Sequence, residues 1–470
     1  MQLMHNGLGR RYWLSELLFC AFCGITLHAQ TIAVTPLHVF ALQTEISDPI
    51  CLTAGRSGGV LYGTTHLDQT NGTVFTINTD GSGYAVLHTF ADSETTFGDP
   101  GTGFAYTYVT EGSDGRLYGT VPSGGAFGYG AVFRLNANGS GYTVIHDFTS
   151  ITESSPASLM QARDGAFYGA GNSIFKVNAD GGNYSVLYHF TNGLDGGTAL
   201  GVLQQGADGT LYGTSFVGGT NGFGTIFSVT TNGANFKVLH AFALGDGANP
   251  VAGLIQGSDG ALYGTTSNSG TNGFASSGGT IFKLDTNGNN FQVLHTFTGS
   301  PSDGDVALSG LVEGLGKFLY GTTYLGGNSG GGFSFGIIFR IGMDGSGYNP
   351  LYYFTNSAPS GSQPLTGLVK GAAQGNTGVL YGTTSHGVSP NAGAIFAAIV
   401  NPSLSITPAI SQTASNQTAV FWPAWAANYV LQSTTNIASS NWVNVADGVP
   451  VYGVQVTSTN PAVFYRLVSP

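Results

Sequence analysis

The chain has almost no cysteine to build with. Of its three, Cys20 and Cys23 fall in a segment read below as a leader, which leaves Cys51 alone. No intramolecular disulfide can then staple the fold. Cys51 reads as a small buried apolar residue. Charge is also scarce, at 8% of residues against about 25% in ordinary globular chains. Lys and Arg number 13 and Asp and Glu 24, for a net charge of −11 with no basic stripe. That excludes nucleic acid as a partner, and an anionic membrane surface with it. The longest apolar run, Leu17 to Leu27, is too short for a span of about 20 residues. Tryptophan is missing from residues 30–400.

What is present is glycine, 75 residues of 470, with 41% hydrophobic and 12% aromatic residues. So much glycine argues against long helices, where each costs about 1 kcal/mol relative to Ala. The regular spacing of the aromatics argues for a packed core over disorder. A Leu-Tyr-Gly-Thr core recurs, with its tyrosine at Tyr62, Tyr118, Tyr168, Tyr212, Tyr263, Tyr320 and Tyr381, at spacings of 44 to 61 residues. Each is followed by an aromatic in a second apolar run, from Phe75 and Phe133 to Phe396. A period near 50 belongs to propeller blades.

Four strands are expected per unit. In the fifth they are A, Val251–Gln256; B, Ala261–Thr266; C, Thr280–Leu284; and D, Phe291–Phe297. Asp-Gly or Asn-Gly turns join A to B (Asp259-Gly260) and C to D (Asn287-Gly288), as hairpins prefer. A D-type run, Leu37-His38-Val39-Phe40, precedes the first core, and the last unit has A, B and C but no D. That offset is useful only in a closed ring, where the N-terminal strand completes the last sheet and removes its exposed edge. The expected fold is all-β: a seven-bladed β-propeller over 30–400, followed by a small β-sandwich.

The ends differ from the repeat. Residues 1–29 read as a secretory signal peptide, with Arg10 and Arg11 ahead of a short apolar run and Leu27-His28-Ala29 as its cleavage end. The expected location is therefore secreted or cell-envelope. Residues 401–470 keep only Gly448 and Gly453 and gain Trp422, Trp425 and Trp442; alternating runs suggest six short strands.

No sequence signature of catalysis survives inspection. His38, His88, His146, His240 and His295 share one repeat position, but equivalent positions on different blades lie too far apart for one zinc ion. They read as hydrogen-bonding residues within each blade. Gly-x-Ser-x-Gly at 55–59, 327–331 and 332–336 lacks the strand–turn–helix setting of a nucleophile elbow. The loops say more. The A–B and C–D turns of a propeller share one face, and the long, variable D–A and B–C connections share the other, where binding usually lives. The candidate ligand-binding residues are the D–A acids Asp99, Asp195, Asp246, Asp303 and Asp305 and the B–C aromatics Phe127, Tyr129, Phe223, Phe274, Phe333 and Phe335. Carboxylates accept from sugar hydroxyls and flat rings cover sugar faces. Carboxylates could also collect Ca²⁺, which takes 6–8 oxygen ligands; no other cofactor is expected. The competing reading is that Asp-Gly forms turns and the aromatics cap the core.

The unit DG-x-LYGTT…GTIF-x-L…G…VLHTF, best kept over Asp208–Phe242 and Asp259–Phe297, resembles the GloVer-type tandem repeat of secreted bacterial proteins. Unit three departs, with Phe167-Tyr168-Gly169-Ala170 and a very short B–C connection. The resemblance implies a secreted repeat protein and no particular activity. Tyr429-Val430-Leu431-Gln432-Ser433 and Phe464-Tyr465-Arg466-Leu467 resemble an immunoglobulin- or fibronectin-like accessory module. The expected function is a monomeric, non-enzymatic propeller whose long-loop face binds an extracellular ligand, a polysaccharide or a surface protein. The alternatives are a structural or adhesive surface protein, and a glycan hydrolase or lyase using paired carboxylates such as Asp303 and Asp305.

Overall fold

The computed structural model describes residues 32–400 except 42–47, 68–69, 92–107, 154–155, 244, 270–277, 300, 328–333, 357–358, 371–377 and 388–392, and the backbone of six strands between 409 and 468. The expected leader lies outside the described residues. Backbone proximity divides the chain into Ile32–Asn401 and a second unit that includes Pro402–Pro470.

Seven four-stranded antiparallel sheets follow one another, each a meander that runs A-B-C-D. Blade 3, for example, is Ser158–Gln161, Phe167–Ala170, Ser173–Val177 and Ser185–His189. Blade 7 takes Val369–Lys370, Gly378–Thr384 and Ala394–Val400 from the end of the repeat and Ile32–Val39 from its beginning. The N-terminal strand pairs antiparallel from Ile32 opposite Val400 to Val39 opposite Ala394. The ring is thus closed by its own first strand, and the molecule is a seven-bladed β-propeller.

The Leu-Tyr-Gly-Thr core is strand B, buried in every blade. Its glycine faces the repeated phenylalanine of strand C across the ladder, as Gly119 faces Phe133 and Gly264 faces Phe282. A Cβ on Gly119 would stand 2.3 Å from Phe133 Cζ. The ring thus occupies the place a side chain would take, and that is why the two residues recur together.

Strand D carries a register shift opposite the C-strand phenylalanine in all seven blades, the closing strand included. A bulge re-aims the side chain beside it. Here it turns the repeated histidine onto the next blade: His88 stacks on Tyr142 at 3.9 Å, His240 on Phe291 at 3.7 Å and His295 on Tyr348 at 3.5 Å. The expected within-blade role is therefore only half of the picture. Tyr188 stacks on Phe236 in the same way, which explains the tolerance for tyrosine.

Strand A differs from expectation. It has only two residues in blades 4 to 7, as in Ile255–Gln256. The residues before it pack backbone to backbone between neighbouring blades: a Cβ on Gly201 would meet Gly253 N at 2.3 Å, and one on Gly253 would meet Val202 O at 2.3 Å. Cys51 is buried, and burial pushes its thiol up to about 12, so it is inert packing.

In the C-terminal unit Ala409–Ala414, Gln417–Phe421 and Gly453–Thr457 form one three-stranded antiparallel sheet, and Val443–Asn444, Val430–Thr434 and Phe464–Val468 form another. Among the described residues no helix is long and apolar enough to cross a membrane.

Candidate functional site

The meander puts the A–B and C–D turns on one rim and the D–A and B–C connections on the other. The turn rim is occupied with holding the ring together. In blades 2 to 5 the B-strand tyrosine donates to the turn aspartate, as Tyr118 does to Asp114 at 2.8 Å. The last residue of strand A reaches back to the preceding blade. Glu111, Gln161, Gln205, Gln256 and Glu313 each accept from a backbone N–H of that blade's A–B turn, at 2.7–2.9 Å.

On the loop rim the candidate acids are tied to their own connections. Asp195 accepts from Tyr188 Oη at 3.0 Å and Thr191 N at 2.9 Å, and Asp246 from His240 Nε2 at 3.0 Å and Ala243 N at 2.6 Å. Asp303 is the most saturated. It accepts from His295 Nε2 at 3.1 Å, Thr298 N at 2.9 Å, Gly304 N at 2.7 Å and also Tyr348 Oη. Burial alone would raise its pKa, but His295, Tyr348 and Thr298 outweigh that and bring it down to about 2. Asp305 accepts from Gly278 N, and its pKa is raised, first by burial and then by the charge of Asp303. Asp99 lies outside the described residues.

The aromatics divide. Phe223 packs beside Tyr212 and Phe242, and Phe335 beside Tyr320 and Phe396. Their carbonyls accept from Asn249 N and Gln363 N in the next D–A connection, at 2.8 Å each. Phe274 and Phe333 lie outside the described residues. Phe127 is 60% exposed and Tyr129 36%. The loops of blades 2 and 4 share one geometry, with a parallel bridge from Gly124 to Tyr129 and from Gly218 to Phe223. In that alignment Phe127 stands where blade 4 has Asn221, whose Nδ2 is bonded to Phe242 O at 3.0 Å. The packing role of Asn221 has been exchanged for an outward ring.

Two further exposed apolar residues lie on D–A connections of the same rim: Ile151, 68% exposed, and Leu194, 72% exposed. Between their connections lies a cleft of about 220 Å³. It exists because only Gly171 and Asn172 separate strands B and C of blade 3. Ile151, Thr152 and Asn172 line it, with His189 and Phe190 from the end of strand D and Asn192, Gly197 and Thr198 from the connection that follows. Asn172 fastens the two sides together: its Nδ2 donates to Ile151 O at 3.0 Å and its Oδ1 accepts from Thr198 Oγ1 at 2.9 Å. Sequence reasoning missed this site. The signal available was the short B–C hairpin itself, in which Phe175 follows Gly169 closely where Phe133 follows Gly119 at a much greater distance along the chain. Among the described residues no group of three His, Cys, Asp or Glu side chains could hold a metal ion.

The sequence model of the Gloeobacter/Verrucomicrobia repeat matches residues 24–173 and 171–335. No curated protein matches the chain. Among solved structures, the chain is similar to an oligogalacturonate lyase from Vibrio parahaemolyticus, at 13% identity over 79% of this chain and 94% of that one, with a TM-score of 0.49. It is also similar to the extracellular domain of a putative hybrid two-component system from B. thetaiotaomicron, at 9% identity over 93% and 55%, with a TM-score of 0.47. A putative TolB from Agrobacterium tumefaciens follows at 14% identity over 57% and 89%, with a TM-score of 0.37.

Proposed function

This chain belongs to the Gloeobacter/Verrucomicrobia repeat family, and from that premise we propose that it is an exported, monomeric, non-enzymatic β-propeller that binds an extracellular polysaccharide through its long-loop rim. The observation that carries this reading is the exposure of Phe127, Tyr129, Ile151 and Leu194 on neighbouring connections of that rim. Exposed apolar side chains on adjoining connections are candidates for an interaction site, and flat rings suit the C–H faces of sugars. The D–A acids support it by fixing the loops. Bonded to internal donors, Asp195, Asp246 and Asp303 hold the rim in shape before a ligand arrives. The internal bonding of Asp303 argues against general acid–base work by that carboxylate: a catalytic carboxyl must be open to the atom it protonates or attacks. The C-terminal strands serve in this reading as an immunoglobulin- or fibronectin-like accessory module.

The test is the melting temperature of residues 30–470 against a polysaccharide panel, with and without Ca²⁺. A ligand at 100 times its dissociation constant adds about 2.7 kcal/mol, enough to move the transition. The expected result is a shift with at least one polysaccharide, independent of Ca²⁺. No shift across the panel would end the polysaccharide reading, and release of new reducing ends would replace binding with catalysis.

A further inference from the structure

Resting on the polysaccharide reading, we infer that the cleft of blade 3 is the primary subsite and that it takes a neutral sugar residue, with the polymer continuing over Phe127 and Tyr129.

The charge distribution carries the choice of ligand. Every Lys and Arg of the propeller lies in an A–B turn or in a strand: Arg56, Arg163 and Lys317 in turns, the rest in strands such as Arg116–Val121 and Ser173–Val177. The loop-rim connections contain none, in any blade. Those same connections hold Glu153, Asp195, Asp246, Asp303 and Asp305. Recognition of uronate, sulfate or phosphate groups relies on Arg or Lys, so this rim repels a polyanion. Among the described residues the cleft is lined by no carboxylate to pair with a cationic sugar.

It is lined by neutral polar residues, Thr152, Thr198, Asn172, Asn192 and the exposed His189, with Phe190 beside them; Asn172 and Thr198 are bonded to each other and shape the wall. Neutral polar groups beside a partly buried phenylalanine suit the hydroxyl and C–H surfaces of a pyranose. The volume, about 220 Å³, lies below the roughly 300–1,000 Å³ of drug-sized sites, so the cleft takes a single ring and the rest of the chain lies outside. The site is built in advance. Asn172 ties the connection bearing Ile151 to Thr198, and Asp195 holds the turn after Phe190 through Tyr188 and Thr191.

The test is affinity electrophoresis of the full chain in gels containing a neutral glucan, a neutral galactomannan, polygalacturonate or chitosan, at 0.15 M salt. Retardation by a neutral polymer and none by polygalacturonate is the expected result. Two variants locate the site. One grafts a copy of the blade 4 segment 217–223 between Gly171 and Asn172, closing the cleft; circular dichroism checks that it folds. The other, H189A, changes an exposed side chain at the end of strand D. The graft should weaken neutral-glycan binding at least tenfold and H189A several-fold. Wild-type affinity in both variants, or tighter binding of polygalacturonate or chitosan than of either neutral polymer, overturns the inference while leaving polysaccharide binding intact. No binding of any polymer by the wild type would remove the inference and the proposed function together.

Discussion

The two rims of this propeller have opposite habits. The turn rim repeats one set of devices from blade to blade: a Tyr–Asp bond, a glutamine or glutamate reaching to the preceding turn, and a glycine in each C–D turn set against the preceding D strand. The loop rim repeats less. Asp195, Asp246 and Asp303 share a task, but blade 7 meets it with Ser360, bonded to Tyr352 at 2.9 Å. Phe127 replaces Asn221, and blade 3 omits its B–C loop. Repetition marks what every blade must do to pack, and departure marks what one blade does for another reason.

The largest effect that would sharpen this contrast lies in the turns. Gly165 and Gly181 are both in blade 3 with positive φ, 82° and 87°. A Cβ on Gly165 meets nothing within 4 Å, whereas one on Gly181 stands 2.3 Å from Ile145 O in blade 2. Left-handed φ alone costs a non-glycine residue about 1–2 kcal/mol, and overpacking adds about 1–3. Urea denaturation should therefore show Gly165→Ala losing about 1–2 kcal/mol and Gly181→Ala about 2–5. Equal losses would mean that the C–D turns do not lock neighbouring blades.

A smaller effect concerns pH. The pKa of Asp303 is depressed to about 2, so its contribution to stability is fully present above the ordinary carboxylate pKa and is lost as pH falls through about 2. The melting-temperature gap between wild type and Asp303→Asn should be widest from pH 5 to 7, narrow below pH 4 and close near pH 2. A gap that stays constant down to pH 2 would show that the variant acts by disturbing the loop and not by removing a charge.

The fold was legible in the sequence because its causes are local and repeated seven times. The Tyr-Gly core and its phenylalanine, the Asp-Gly turns and the displaced first D strand each state a steric or topological demand. Other features were hidden for physical reasons. The two-residue A strands arise from contact between blades, which no single unit encodes. The histidine stack depends on a bulge, and a bulge leaves no mark in the residue pattern of one strand. The site was legible only as a rim. The acids at Asp195, Asp246 and Asp303 looked available because Asp near Gly has the same appearance whether it binds a ligand or its own loop. The short B–C connection of blade 3 was visible, but the cleft beside it is lined from the D–A connections on either side, which the sequence does not bring together.

The smallest effect separates the two meanings of an exposed loop residue. Asn221 and Phe127 occupy equivalent places in the B–C loops of blades 4 and 2. Asn221 holds Phe242 O at 3.0 Å, and Asn221→Ala should cost about 0.5–1 kcal/mol, the ordinary worth of one hydrogen bond. Phe127 is 60% exposed, so Phe127→Ala should change stability by less than about 0.5 kcal/mol. The two variants should then trade places in the electrophoresis gels, with Phe127→Ala losing retardation by a neutral polymer and Asn221→Ala keeping it. A Phe127→Ala protein that melts markedly lower would make that ring a cap on the core, and the apolar sector on the loop rim would lose its claim to be a binding surface. A protein that is as stable as wild type and blind to the polymer would show that one loop, built on one geometry, packs in blade 4 and binds in blade 2.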